Sequence, residues 1–304
     1  MIFIDSNRSE SLELPPKLER LILIGNDLGF ARIINLCFGD LQKQDATVIF
    51  IPIGRSALTE GLKYPTNPKG LAELIKSKYH LSINLMRCHC MDLEGRPLTW
   101  LALNDVVIRL PEQRIPSPLA GLVKRFLFSS RLFAPKTKSQ ISVLDGNRVI
   151  YDGKYLFSVL LLGSRISGGP KLREHTRGFQ QNFSYYQVNE AGPLKAAKGL
   201  IQLFSQDEEN QEMLKGNFTQ LELRSLAEES QLVADGLTIG HLPANFTLLP
   251  KALKVASPLL TSPVKNGFKA ILPEAEGLSS LSRQVRNSSF KNVKPRPGSH
   301  LSEK

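Results

Sequence analysis

Apolar positions first occur in short, unbroken runs. Residues 21–24 (LILI) lead into Gly25-Asn26-Asp27-Leu28-Gly29, and residues 47–52 (TVIFIP) form a second run. Short, continuous, β-branched runs of this kind predict buried strands. Between them the apolar positions become periodic, which predicts a helix over residues 30–38. Strand, glycine turn, helix and strand in that order imply a parallel α/β layer. A second short helix is predicted over residues 69–78. From residue 82 the character changes. SINLMRCHCM, TWLALNDVVIRL, QISVLDG, YLFSVLLLG, FSYYQV, TQLELRSL, QLVADG and FTLLP all read as strands separated by turn residues. No internal repeat is present.

Two helical patterns interrupt these strands. PLKAAKGLIQLF, residues 193–204, has Pro at its start and apolar residues at 194, 197, 200, 201 and 204. SPLAGLVKRFLFSSRLF, residues 117–133, mixes Leu, Val and Phe with Lys124, Arg125 and Arg131. The pattern divides the chain into a truncated α/β segment (1–80), a β-rich segment (81–260) and a tail (261–304). From residue 279 the tail is rich in Ser, Lys and Pro and has little to bury, so disorder is expected there.

Charge narrows the partners. The net charge is +11, which favours an anionic partner: nucleic acid, a membrane surface or a phosphorylated ligand. Eight Lys or Arg against three Glu lie in residues 261–304, and seven Lys or Arg against one Glu lie in 109–138. The basic helix at 117–133 has two readings. It can lie on an anionic membrane with Phe and Leu dipping into the interface, or pack on the β-rich segment with its basic face in water. The tail has no aromatic or recognition motif, so nucleic acid is not expected as a partner. No apolar run approaches the roughly 20 residues needed to span a bilayer. The N-terminus, MIFIDSNRSE, lacks the pattern of a secretory signal. Three cysteines, an odd number, suit a reducing compartment. The expectation is a cytoplasmic protein able to reach a membrane surface.

The order of elements resembles the diacylglycerol kinase family of lipid kinases, in the branch shared with sphingosine kinases. LVADGLTIGHLPANFTLLPKALKVASP is similar to the family's closing segment, where an Asp-Gly-Glu turn precedes a Pro and a strand. VLDGNRVIYDGKYLFSVLLLGSRISGGPKL resembles a strand pair followed by a strand ending in Gly-Gly. Gly25 to Gly29 occupies the place of a Gly-Gly-Asp-Gly-Thr nucleotide loop, and IPIGRSALTEGLKYP that of a second, Pro-x-Gly-Thr-x-Asn-Asp loop. The resemblance spans residues 20–258. It implies a shortened α/β domain with a parallel sheet, then a β-sandwich-like domain. It further implies ATP, Mg²⁺ and phosphoryl transfer to a lipid hydroxyl. Gly25, Asp27, Gly29 and Gly54 would then line the phosphates, and Asp235 would be the acid near the acceptor.

Phosphoryl transfer needs N–H groups around phosphates, carboxylates for Mg²⁺ and a base for the acceptor hydroxyl. Against the family pattern this chain departs at each. Asn26 and Leu28 replace glycines of the first loop, and Gly29 replaces its threonine. Leucine does not tolerate positive φ well, and the Leu28 side chain is expected to crowd a ligand. Arg55 and Ala57-Leu58 replace Thr and Asn-Asp of the second loop. Leu237 stands where the family has the glutamate proposed as base. Arg177, before Gly178, stands where the family has an aspartate that helps organise Mg²⁺. FIDSNRS, with Asn7 and Ser9, could be the remnant of the family's first strand, whose following strand–helix steps are missing. The resemblance therefore implies a degenerate member. Its alternative function is a catalytically inactive module that binds anionic lipid or regulates a partner.

Two further patterns stand in the sequence. WLALNDVVIRL, with Asn104-Asp105, resembles a strand of NAD kinases, which keeps an NAD kinase-like protein as another alternative. In Cys88-His89-Cys90, strand alternation puts the two thiols on one face and the imidazole on the other. No second pair at zinc spacing accompanies them, so buried or reactive thiols are expected and no metal site.

Overall fold

A computed structural model describes residue 12 and residues 14–109, 140–163, 181–189, 213–225 and 230–258. They lie within one compact unit, Met1–Ser262. The predicted helices at 117–133 and 193–204, residues 177–178, FIDSNRS and the basic tail lie outside the described residues.

Strand β1 (Arg20–Gly25) runs parallel to β2 (Thr47–Pro52), with Arg20 opposite Thr47 and Gly25 opposite Pro52. Helix α1 (Asp27–Gln44) connects them. It begins earlier and ends later than the apolar pattern predicts. Asn26 caps it, accepting the Gly29 N–H at 2.8 Å, and Asp27 places a negative charge in the first turn. It ends at Asp45 in the left-handed conformation (φ 53°). Its buried face carries Phe30, Ala31, Ile33, Ile34, Cys37 and Leu41, with Phe30 4.8 Å from Phe50 between ring centroids.

Two short helices follow. α2 (Ala57–Gly61) is capped by Ser56, and α3 (Pro68–Lys76) by Asn67 with Pro at its start. The remaining strands are β3 (His80–Met91), β4 (Pro97–Ala102), β5 (Asp105–Arg109), β6 (Gln140–Asp145), β7 (Arg148–Leu161), β8 (Phe183–Asn189), β9 (Met213–Phe218), β10 (Gln220–Ser225), β11 (Gln231–Ala234) and β12 (Leu237–Ala256). The described residues are thus mostly strand with three helices, in a large, mainly antiparallel sheet. β12 is its axis. It pairs with β3, β10 and β11, and meets β2 in parallel where Val255 lies opposite Val48.

Three expectations need correction. TWLALNDVVIRL is not one strand: the chain breaks at Leu103-Asn104 between β4 and β5. FTLLP is the middle of a strand of 20 residues, which passes Pro243 and Pro250 by means of bulges against β3. α2 and β9 were not foreseen.

The buried side chains form two clusters. One packs α1 against β1, β2 and the ends of β3 and β12. The other lies between β3, β5, β6, β7, β8, β10, β11 and β12. Trp100 packs against both. Cys88 and Cys90 point into the second cluster while His89 faces outward and bonds Thr99 Oγ1 at 2.8 Å, as strand alternation requires.

Candidate functional site

The two sequence loops meet at the C-terminal ends of β1 and β2. After Pro52 the chain turns back, and Ile53 donates its N–H to the Gly25 carbonyl at 2.6 Å. Gly54 follows at φ +83°, where glycine is favoured, and a Cβ there would meet nothing within 4 Å. The backbone at Gly54 is therefore open to a ligand. Arg55 is exposed, 3.9 Å from Glu60, and does not point at Asp27 through any described contact.

The first loop differs from its expectation. Gly25 ends β1, Asn26 is extended (φ −109°), and Leu28 and Gly29 lie in the first turn of α1. Leu28 therefore sits in ordinary helical backbone, and the Asn26 side chain takes the N–H of Gly29 that a phosphate would otherwise use. A Cβ on Gly25 would make only ordinary contact, 3.8 Å from Phe30.

Asp27 turns from its own helix toward the second loop. Its carboxylate accepts the Ser56 hydroxyl and, at 2.8 Å, the Ala57 N–H. Ser56 in turn caps α2 by accepting the Thr59 N–H. Burial pushes the Asp27 carboxyl above the ordinary aspartate value, against the pull of the Ser56 and Ala57 bonds.

Asp235 closes the third side. It lies in the tight turn between β11 and β12, at φ 47°, followed by Gly236 at φ 88°. Its N–H bonds the Asp105 carbonyl at 3.0 Å. Its side chain accepts three successive N–H groups from the β4–β5 break: Leu103 at 2.8 Å on one oxygen, Asn104 at 2.8 Å and Asp105 at 3.3 Å on the other. Asp235 is 5% exposed, and burial lifts its carboxyl to about 7; the three N–H donors oppose this and the nearby Asp27 charge reinforces it. Leu237, next in the turn, packs against the second core cluster.

Asn104 joins the pieces. Its backbone N–H goes to Asp235, and its side-chain amide reaches Asp27 at 3.4 Å. Its carbonyl accepts N–H groups from Leu162 (2.7 Å) and Gly163 (3.2 Å) at the end of β7. Of the residues singled out in the sequence, Asp27 and Asp235 are linked by hydrogen bonds through Asn104, Gly25 accepts the Ile53 N–H next to Gly54, and Gly29 lies in the first turn of α1. Asn104 drew attention only through the NAD kinase-like strand, and its link to Asp27 could not be read there. The sequence reading did not single out Ser56, although serine is a preferred N-cap residue.

Open backbone at Gly54 suits a phosphate. Among the described residues no group of three His, Cys, Asp or Glu could hold a metal, and the Asp27 carboxylate is engaged by Ser56 and Ala57.

No family model matches the chain, and no curated protein matches it in sequence. Solved structures do. A candidate diacylglycerol kinase from Bacillus anthracis matches with a TM-score of 0.62 at 15% identity, covering 79% of this chain and 77% of that one. A diacylglycerol kinase structure from the same organism gives a TM-score of 0.56 at 15% identity, covering 79% and 76%. At this identity the likeness shows the fold, which is diacylglycerol-kinase-like.

Proposed function

We propose that this chain is a lipid-kinase-like protein whose site derives from ATP-dependent phosphoryl transfer to a lipid hydroxyl. One observation supports the reading: two loops and a turn far apart in sequence meet, Asp27 bonding Ser56 and Ala57 of the second loop and Asn104 bridging Asp27 to Asp235, and these are the segments to which the family resemblance assigns nucleotide and acceptor. On this reading residues 1–80 are a shortened nucleotide-binding layer and residues 81–260 the lipid-kinase β-rich domain. ATP would lay its phosphates along Gly54 and the start of α1. A lipid at an anionic membrane surface would supply the hydroxyl.

The chemistry assigns one proton acceptor. The lipid oxygen would attack the terminal phosphorus, ADP would leave, and the hydroxyl proton would pass to Asp235. Burial raises its carboxyl to about 7, so Asp235 would exchange a proton near neutral pH. Its oxygens already accept three N–H groups, and Leu237 adds no carboxylate, so turnover should be slow.

That same geometry favours a second reading, a catalytically inert module that binds nucleotide or anionic lipid. Incubation with radiolabelled ATP, Mg²⁺ and mixed-lipid vesicles separates the two. Label in lipid that disappears in Asp235→Asn supports the kinase. Nucleotide binding without labelled lipid supports the inert module. Neither binding nor label would overturn both. Co-sedimentation with anionic vesicles that persists unchanged in ~1 M salt would remove the electrostatic membrane partner.

A further inference from the structure

We propose that Asn35 is a positioning residue for this site: it fixes the N–H nest around Asp235 relative to Asp27. The inference rests on the reading of Asp27, Asn104 and Asp235 as one ligand site. Asn35 lies two turns into α1, on the same helix that begins with Asp27. Its side chain does not serve its own helix alone. The amide donates to the Ala31 carbonyl at 2.8 Å and to the Leu101 carbonyl at 2.9 Å, while its oxygen accepts the Leu101 N–H at 2.7 Å. Both backbone groups of Leu101 are thus held by one side chain.

Leu101 is on β4, which pairs with β3 alone among the described strands. Its other edge would present unpaired backbone, and Asn35 supplies at Leu101 the pair of bonds that a neighbouring strand would give. Two residues later the chain breaks and offers Leu103, Asn104 and Asp105 to Asp235. Asn104 then reaches back to Asp27. The circuit is closed: Asp27, along α1 to Asn35, across to Leu101, on to Asn104, and back to Asp27. Leu101 and Leu103 also pack in the core cluster of α1, but that packing is non-directional; Asn35 and the 3.4 Å contact of Asn104 with Asp27 add hydrogen bonds that fix the spacing.

The test compares Asn35→Leu with an Ile34→Val control on the buried face of α1, studied at temperatures equally far below each Tm. Amide hydrogen exchange is followed by NMR, and affinity is measured for a fluorescent ATP analogue. The expected result is exchange at Leu103, Asn104 and Asp105 faster by about tenfold in Asn35→Leu than in the control, with Val106 to Ile108 equal in both. Affinity for the analogue falls by about tenfold in Asn35→Leu alone. Equal exchange at the three amides, or uniform acceleration through β5, would overturn the proposal. If the unmodified protein binds no analogue, the functional reading fails, and the exchange result still decides whether Asn35 holds the nest. If Asn35→Leu does not fold, Asn35→Asp is read in the same way, since it keeps the acceptor for the Leu101 N–H and loses the donor to the Leu101 carbonyl.

Discussion

Asp27 and Asp235 share one residue: Asn104 donates its side-chain amide to the first at 3.4 Å and its backbone N–H to the second at 2.8 Å. Both carboxyls are raised by burial, and the nearby Asp27 charge raises Asp235 further. Their protonation is therefore a property of the fold as well as of any reaction.

The burial of Asp235 gives an unusual pH dependence. The Asp235 carboxyl titrates near 7 in the folded chain, against 3.8 ordinarily. Between those values the folded state holds a proton that the unfolded state has lost. Stability from this group is complete below about pH 4 and declines as pH rises to about 7, by at most about 1.4 kcal/mol per unit. Asp27 adds in the same direction. Urea unfolding across this range should show the decline, and Asp235→Asn should flatten it. A slope unchanged by the substitution would refute the assignment.

Leu237→Glu should restore a carboxylate beside Asp235. Label transfer from ATP to lipid is expected to rise about a hundredfold, within the usual range for a positioned base. No gain, with folding intact, would mean that the acceptor does not approach this turn.

Gly163→Ala probes the Asn104 link. Its Cβ would sit 3.2 Å from Asn104 Oδ1, closer than comfortable contact. The amide must shift, and its 3.4 Å bond to Asp27 has no slack. Affinity for an ATP analogue should fall about tenfold while Tm changes by less than about 4 °C.

Gly240→Ala tests the sheet itself. A Cβ there would lie 1.9 Å from the Met91 carbonyl oxygen, a backbone atom that cannot swing aside. The loss should reach or exceed the ~3 kcal/mol upper range for overpacking, seen as a lowered urea midpoint.

The thiols should react in a set order. Burial lifts Cys37 to about 12, and Cys88 is raised while the bond from Cys88 lowers Cys90. Limiting iodoacetamide at about pH 8, read by peptide mass, should modify Cys90 first.

The sequence was most informative where structure is local. Residues 47–52 form β2 as their β-branched run indicates. α1 exceeds its apolar pattern because Asn26 caps it ahead of the first periodic residue and because the exposed Gly39 is tolerated with Leu41 buried beyond it. The break at Leu103-Asn104 has no glycine or proline to mark it; Asp235 imposes it from across the chain. β12 was under-read because Pro243 and Pro250 suggest interruption, yet bulges carry the strand past both. Asp27 and Asp235 could be paired only by family resemblance, since no periodicity links them. The tie through Asn35 was invisible for the same reason.

β12 also has a bearing on how the protein is made. Its residues leave the ribosome after all the other described strands, yet β2, β3, β10 and β11 each find a neighbour in it, and Ala256 receives the Tyr64 hydroxyl. The nascent chain must wait with those partners incomplete until residue 256 emerges. Such long-range closure makes for slow assembly and a prolonged need for protection from other chains.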